Sequence, residues 1–172
     1  RNQKKNKFIF PDRCLCGAKT QKEINTSTNK EDAVRRCIKG YDCSFTAKEK
    51  LKHIVSKDAF NIDGLGKKVI DQLWDLKLIK TPQDIFKLNY DKVKDLEGWG
   101  DLSIKNLKKA INTAKTISLN RFIYSIGIRH IGQENAKILS GFFISINKFF
   151  DLFNQNKIKK ILNNLKDLDG IG

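Results

Sequence analysis

The four cysteines of this chain have the types and spacing of a metal site. They form a Cys-x-Cys pair and a Cys-x5-Cys pair, with twenty residues between the pairs: Cys14, Cys16, Cys37 and Cys43. Two thiol pairs separated by a loop are typical of a structural zinc site, because zinc takes four soft ligands in a tetrahedron from two converging turns. Four thiolates leave no position for water or substrate, so the predicted zinc ion folds residues 11–46 and does no chemistry.

Other interpretations of the cysteines stay open at this point. Disulfides require an oxidising compartment, and nothing in the sequence indicates export. Only Leu15 separates the first pair, so a zinc site needs a tighter turn than the two to four intervening residues of a zinc ribbon allow. Gly17 and Gly40 stand where tight turns would direct the ligands. His53 is a candidate substitute ligand, and its alternative role is packing or surface exposure.

A second candidate site is a repeated glycine pattern. The unit apolar-x-Gly-apolar-Gly has its second glycine at positions 66, 100, 132 and 172, and the first three units precede predicted helices. The glycines permit positive φ and the close approach of another backbone. The amide groups at the start of each following helix have no internal partner, so they can bind a phosphate oxygen. The central apolar residues are expected to point inward: Leu65, Trp99, Ile131 and Ile171.

Cationic side chains flank these glycines and add attraction to a nucleic-acid backbone that does not depend on base sequence. In the third unit His130 replaces the first glycine, so Arg129 and His130 are expected to supply side-chain donors there. For Trp99, stacking on a base is the alternative to a place in the core, and the core is favoured. The predicted DNA-binding residues are Gly64, Gly66, Lys67, Lys68, Gly98, Gly100, Lys105, Arg129, His130, Gly132, Gly170 and Gly172.

Composition favours a polyanionic partner. The chain has 34 Lys and Arg against 19 Asp and Glu, a net charge of +15, and the surplus is spread over residues 1–58 and residues 59–172. Such a surplus indicates nucleic acid or an acidic membrane surface, although AT-rich coding, which also enriches Asn and Ile, accounts for part of it. No apolar run approaches the ~18 residues of a membrane-spanning helix. The expectation is a cytoplasmic monomer without a membrane partner.

The elements that must position these groups are mainly helical. From residue 47 onward, apolar residues recur at three- and four-residue spacing between short glycine signals. The predicted fold class is therefore mainly α, with a small four-cysteine zinc module over residues 11–46 and an all-α tandem hairpin domain over residues 47–172, whose fourth hairpin is truncated. The predicted helices span residues 47–57, 67–76, 102–116, 119–126, 133–142, 146–153 and 158–165.

The order of these parts resembles the C-terminal half of bacterial NAD-dependent DNA ligases, and the glycine units resemble helix-hairpin-helix motifs. The resemblance extends from about Phe8 to the end of the chain. The segments that carry it are FPDRC at 10–14, RC at 36–37, LKHIVSKDA at 51–59, IDGLG at 62–66 and IGIRHIG at 126–132. The family's first cysteine pair is normally Cys-Pro-x-Cys, so this chain departs from it by one residue and the proline.

The resemblance implies a parent enzyme that encircles nicked double-stranded DNA and seals it in replication and repair, with NAD and Mg as its cofactors. It also implies that residues 1–10 end a preceding OB-like domain or linker, and that other domains of the same polypeptide are partners. The Lys-x-Asp-Gly adenylation motif of the family is absent from this sequence. No catalytic residue is therefore assigned, and the fragment is expected to be inactive alone, binding neither NAD nor Mg.

Three other functions compete with this interpretation. A non-catalytic helix-hairpin-helix module of another repair protein would share the hairpins but lack the four cysteines ahead of them. A zinc-stabilised protein-interaction module would use the basic surface for an acidic partner, and it gives no reason for glycines at every hairpin. An independent enzyme is disfavoured because two histidines and a closed four-cysteine site leave no catalytic constellation.

Overall fold

The computed structural model describes residues 9–25 and 29–168. The chain divides into two compact units, residues 1–49 and 50–172, and the division falls within helix α1 (Ser44–Val55). Below, residues 1–49 are called the cysteine unit and residues 50–172 the helical unit. The predicted domain limits at residues 10 and 46 stay predictions.

The cysteine unit contains a two-stranded antiparallel sheet in its described part. Strand β1 (Thr20–Asn25) pairs with strand β2 (Lys30–Cys37), with Thr20 opposite Cys37. Charged side chains support the pairing, because Lys22 forms an ion pair with Glu31 across the strands at 2.9 Å. A 3-10 turn (Gly40–Asp42) then leads into α1.

The first half of the helical unit packs around one apolar cluster, which we call the first core. Its buried residues lie between Leu51 and Ala114. In the longest helix, Ile104, Leu107 and Ile111 recur at spacings of three and four, which places them on one buried face. Its helices are the second half of α1, α2 (Lys67–Asp75), α3 (Pro82–Phe86), α4 (Tyr90–Lys94) and α5 (Asp101–Ala114).

The second half of the helical unit packs around a separate apolar cluster, the second core. Its buried members are Ile123, Ala136, Leu139, Phe143 and Phe149. Aromatic rings meet edge to face inside it, as between Phe143 and Phe149, whose centroids lie 5.3 Å apart. Its helices are α6 (Leu119–Ser125), α7 (Gln133–Phe143), α8 (Ile146–Phe150), a 3-10 turn (Asp151–Phe153) and α9 (Gln155–Lys166).

The prediction of a mainly α fold, with the four cysteines in a small module ahead of a helical domain, is confirmed. Several predicted boundaries are wrong by a few residues, and the predicted helix 146–153 changes to a 3-10 turn after Phe150. The last helix begins at residue 155 rather than 158, because the Asn154 side chain accepts a hydrogen bond from the Asn156 backbone N–H.

The β-hairpin and helices α3 and α4 are absent from the sequence-based prediction. Both helices have only five residues, and local capping stabilises them. Asp84 accepts hydrogen bonds from the backbone N–H groups of Lys80 and Thr81 at 2.8 and 2.7 Å, and these bonds hold its pKa below the ordinary value. Across the described residues, the structure contains no helix with the length and hydropathy needed to cross a membrane.

Candidate functional site

The structure brings the four cysteines together in one cluster. Their sulfur atoms all lie within 4.8 Å of one another, and all four thiols are free. The Sγ atoms of Cys14 and Cys43 are 3.7 Å apart, and those of Cys16 and Cys37 are 3.5 Å apart. A tetrahedral zinc ion with Zn–S bonds of about 2.3 Å places its sulfurs about 3.8 Å apart. The four sulfur ligands and the distances between them therefore fit a metal ion. The same sulfur–sulfur distances are too long for disulfide bonds.

A tight turn accommodates the short Cys-x-Cys pair. The Gly17 backbone N–H donates to the Cys14 carbonyl oxygen at 2.8 Å, and the Cys14 N–H donates to the Ala18 carbonyl oxygen at 2.8 Å. Gly17 adopts a φ of 82°, which an L side chain rarely adopts. The intervening Leu15 is 84% exposed. One intervening residue is thus sufficient, because the turn places both sulfurs in the cluster and extrudes Leu15.

The second pair lies at the ends of a strand and a helix. Cys37 ends β2, and Cys43 directly precedes α1, where its carbonyl oxygen accepts from the Ala47 N–H at 2.9 Å. Gly40 between them has a φ of 52°. Side-chain hydrogen bonds also join the two strands, since the Arg35 guanidinium donates to the Thr20 hydroxyl and carbonyl oxygens at 2.9 and 2.8 Å. Regular backbone elements therefore fix the second pair.

The thiols of the cluster differ in their acidity. The backbone N–H of Thr46 donates to Cys43 and lowers its pKa to about 6, as a helix N-terminus does for a thiolate. Burial raises the pKa of Cys37 to about 12. The backbone hydrogen bond from Cys16 lowers the pKa of Cys14, but burial and the neighbouring thiols outweigh it, so that pKa is raised overall. Metal binding must therefore displace protons from Cys14 and Cys37 near neutral pH.

The three described hairpins share one backbone geometry. We call residues 62–66 hairpin 1, residues 96–100 hairpin 2 and residues 128–132 hairpin 3. In each, the fourth residue's N–H donates to the first residue's carbonyl oxygen, at 3.2, 3.1 and 3.1 Å in order. The third residue of each turn has positive φ: Gly64 (91°), Gly98 (84°) and His130 (61°). His130 therefore replaces the glycine without changing the turn.

The second glycine of each hairpin has a different role. Gly66, Gly100 and Gly132 adopt extended backbone at the N-caps of α2, α5 and α7, so they do not use the positive φ that glycine permits. A Cβ placed on any of these three would meet nothing within 4 Å. Within the described part of the chain, neither backbone strain nor packing therefore requires glycine at these positions.

The predicted contact residues of the three hairpins are all exposed. They comprise both glycines of hairpins 1 and 2, Gly132, and the flanking cationic side chains of Lys67, Lys68, Lys105, Arg129 and His130. Hairpins 1 and 2 line a common cleft of about 540 Å³ that includes Gly64 and Gly98. Hairpin 3 lies on the second core. The fourth predicted pair, Gly170 and Gly172, lies outside the described residues.

The central apolar residues anchor the hairpins as predicted. Leu65 is buried in the first core, and Trp99 packs against the same cluster. Ile131 packs against the second core. Trp99 also lines the common cleft, but its contact with the core agrees with the packing role rather than with base stacking. The last such residue, Ile171, is not among the described residues.

Two polar residues that the sequence analysis missed brace the hairpins. The Ser103 hydroxyl accepts from the Gly100 N–H at 2.9 Å and donates to the Gly100 carbonyl oxygen at 2.8 Å. The Asn135 side-chain amide donates to the His130 carbonyl oxygen at 3.0 Å. Both residues stand three positions after the second glycine, and this spacing is the signal that could have identified them. His53, the candidate substitute ligand, is instead bonded to the Tyr124 carbonyl oxygen.

Comparison with known proteins gives one consistent result. No family model matches the chain. A DNA ligase of Pelagibacter ubique is 53% identical over 174 residues, which cover 100% of this chain and 25% of that protein. DNA ligases of Parvibaculum lavamentivorans and Wolbachia pipientis are 40% and 41% identical, and they cover 98% and 96% of the chain. The chain spans about a quarter of the length of these curated relatives.

Proposed function

Because this chain belongs to the DNA ligase family, as a segment of about a quarter of its relatives' length, we propose that it grips duplex DNA for a ligase. In this proposal the hairpins bind the sugar-phosphate backbone of nicked double-stranded DNA. The binding is independent of base sequence, since no element of the segment is assigned to base readout. The parent enzyme seals nicks in replication and repair, and it takes its adenylate from NAD with Mg as a further cofactor.

The observation that carries the proposal is the character of the second glycines. Gly66, Gly100 and Gly132 each precede a helix of nine or more residues, at its N-terminus, in extended backbone with open space beside them. Nothing in the described part of the chain demands glycine there, and its recurrence at all three caps supports a requirement from outside the chain. A phosphate oxygen approaching the free N–H groups of the first helical turn supplies that requirement, because any side chain at the cap would obstruct it.

Charge and exposure support the same interpretation. The predicted cationic contacts, among them Lys67, Lys68 and Lys105, extend into solvent beside the hairpins. The two acidic residues of the common cleft, Asp63 and Glu97, line its wall. Phosphates are therefore expected at the helix N-termini rather than inside the cleft. The net charge of +15 adds long-range attraction that salt screens.

The cysteine cluster has a structural part in the proposal. Cys14, Cys16, Cys37 and Cys43 would hold zinc, which supplies a cross-link between the first turn, the strand end and the start of α1. All four positions of a tetrahedral ion are then taken by sulfur, so the ion activates no water. The segment contributes no catalytic residue, and sealing requires the adenylation domain elsewhere in the parent polypeptide. In this proposal the protein is a monomer and acts in the cytoplasm.

Binding of the chain to a short nicked duplex, measured across a salt series, tests the proposal. We expect affinity that falls steeply with salt and varies little with base sequence. Replacing Gly66 and Gly100 by leucine should weaken binding by about tenfold or more, equivalent to about 1.4 kcal/mol per factor of ten. Gly141→Leu is the matched control, because Gly141 is exposed in α7 and a Cβ there also meets nothing within 4 Å.

Each outcome decides between functions. Loss of binding in the hairpin variants with retention in the control supports backbone gripping by the N-termini of α2 and α5. If the unmutated chain binds no DNA, or binds it independently of salt, the DNA proposal is contradicted. A protein-interaction module with an acidic partner is then favoured. Equal loss in all variants would assign the effect to folding rather than to the hairpins.

A further inference from the structure

The helical unit carries its hairpins on two separate apolar cores. Hairpins 1 and 2 pack on the first core, and hairpin 3 packs on the second. Helix α5 ends at Ala114 and α6 begins at Leu119, so a linker of four residues joins the two cores. Such a linker does not by itself fix the orientation of one core relative to the other, because each of its residues contributes two soft dihedral angles. Whatever fixes hairpin 3 relative to the other two must lie between the cores.

Arg121 of α6 makes one such connection. Its Nε atom donates to the carbonyl oxygen of Ala59 at 2.8 Å, and its Nη2 atom donates to that of Lys57 at 2.5 Å. Both carbonyls belong to the turn that follows α1. Two donors of one planar guanidinium on two fixed acceptors define direction as well as distance.

His53 of α1 makes the second connection. Its Nε2 atom lies 2.9 Å from the Tyr124 carbonyl oxygen, and since a carbonyl only accepts, Nε2 carries the proton. The imidazole also meets the Tyr124 ring edge to face, with centroids 4.7 Å apart. Gly127 lies against the imidazole ring of His53, so that a Cβ on Gly127 would be 3.6 Å from His53 Cδ2. The imidazole therefore fills the contact between α1 and the approach to hairpin 3.

We propose that Arg121 and His53 are positioning residues that clasp the second core to the first and so hold hairpin 3 in register with hairpins 1 and 2 on one duplex. The inference rests on the proposed DNA function. Neither side chain touches DNA in this mechanism. With the clasp closed, the three phosphate sites bind together, and with it open, the third site binds as a tethered but unaligned group at lower effective concentration.

The first experiment examines the clasp without DNA. Residual dipolar couplings of backbone amides report the orientation of each core, and in the parent chain both cores should fit a single alignment tensor. In the double variant His53→Phe with Arg121→Met, the two cores should require different tensors. Lys80→Met is the matched control, because Lys80 also donates to a carbonyl, that of Trp74 at 2.9 Å, but both partners lie within the first half of the helical unit.

The second experiment measures affinity for nicked duplex across a salt series. The double variant should bind roughly tenfold or more weakly, and the slope of log affinity against log salt should fall by about one, since the hairpin 3 contacts drop out. His53→Phe alone is informative, because the imidazole is bonded to the Tyr124 carbonyl oxygen inside the clasp, so a fall in the slope of this variant reflects lost alignment. A variant that is merely less folded loses active protein while its slope stays the same.

The outcomes separate this inference from the proposed function. Divided tensors together with a reduced slope support the clasp, while a single tensor in the double variant overturns it. Divided tensors with an unchanged slope overturn the positioning role. If the parent chain fails to bind DNA, the proposed function and the positioning role both fall, and the tensors still decide whether the two residues join the cores.

Discussion

The cysteine unit and the helical unit are stabilised in different ways. Among the described residues of the cysteine unit, Cys43 is the only buried one, and apolar side chains such as Leu15 and Ile24 are 84% and 60% exposed. The helical unit buries two clusters of Leu, Ile, Val, Ala and Phe. A small module whose described residues form no apolar core needs another source of folding free energy, and metal ligation by the four cysteines would supply it. The comparison teaches that a metal bound by the four cysteines would do for the cysteine unit what the apolar cores do for the helical unit.

The largest expected effect is on the cysteine unit after metal removal. Structural zinc contributes on the order of 10 kcal/mol to the folding of such modules, so chelation, or serine at Cys37 and Cys43, should unfold the described part of the cysteine unit. Amide signals of the helical unit should stay in place. NMR spectra before and after addition of a chelator measure this. A cysteine unit that remains folded without metal would break the comparison.

The reciprocal change acts on the helical unit. Leu73 is fully buried in the first core, and Leu73→Ala should lower the free energy of unfolding by about 2–5 kcal/mol. The cysteine unit should keep its metal, because none of its ligands depends on this side chain. Denaturant unfolding followed by circular dichroism, with metal release recorded by a coloured chelator, measures both quantities. A loss of metal at the midpoint of helix unfolding would argue against independent stabilisation.

The pH dependence of metal binding is the next effect in size. Cys14 and Cys37 have raised pKa values, that of Cys37 to about 12, so both are protonated near neutral pH before metal binds. Binding releases at least these two protons, so affinity should weaken by at least about a hundredfold for each unit of falling pH. The dependence should steepen below pH 6, where Cys43, with a pKa lowered to about 6, also takes up a proton. Competition titrations between pH 5 and 8 test this, and a slope of one proton or fewer would contradict it.

The smallest effect concerns a local conformation in the helical unit. Asn135→Ala removes the hydrogen bond to the His130 carbonyl oxygen and should cost about 1 kcal/mol. His130→Gly should recover part of that loss, because glycine adopts the positive φ of this turn without strain. A double-mutant cycle in thermal unfolding gives the coupling between the two positions. If the two changes in the free energy of unfolding are strictly additive, Asn135 does not stabilise the positive φ of residue 130 in hairpin 3.

Much of this architecture can be predicted from the sequence. The long helices are predicted because Ile104, Leu107 and Ile111 follow the helical period, and the cysteine cluster because four cysteines form two pairs. The hairpins are predicted because their glycine units repeat. In each case the determining residues are close together in the chain or recur at a fixed spacing, so the pattern is local.

The features that the sequence did not predict depend on interactions that leave no local pattern in the sequence. The sheet is held by its backbone ladder and by ion pairs such as Lys22 with Glu31, so no apolar alternation marks it. Helices α3 and α4 are shorter than two helical turns, too short to show a period. The bond from Arg121 to Ala59 joins residues 62 positions apart, and a lone arginine gives no local indication of its acceptor.

The bare caps of α2, α5 and α7 also bear on engineering. A Ser, Asp or Asn at Gly66, Gly100 or Gly132 would add a side-chain oxygen to the cap and raise thermal stability by about a few tenths of a kcal/mol at each position. Selection for heat resistance alone would therefore favour these substitutions, although the added oxygen would occupy the space proposed for a phosphate. These three positions are where a thermostabilised version of this protein would exchange nucleic-acid affinity for melting temperature.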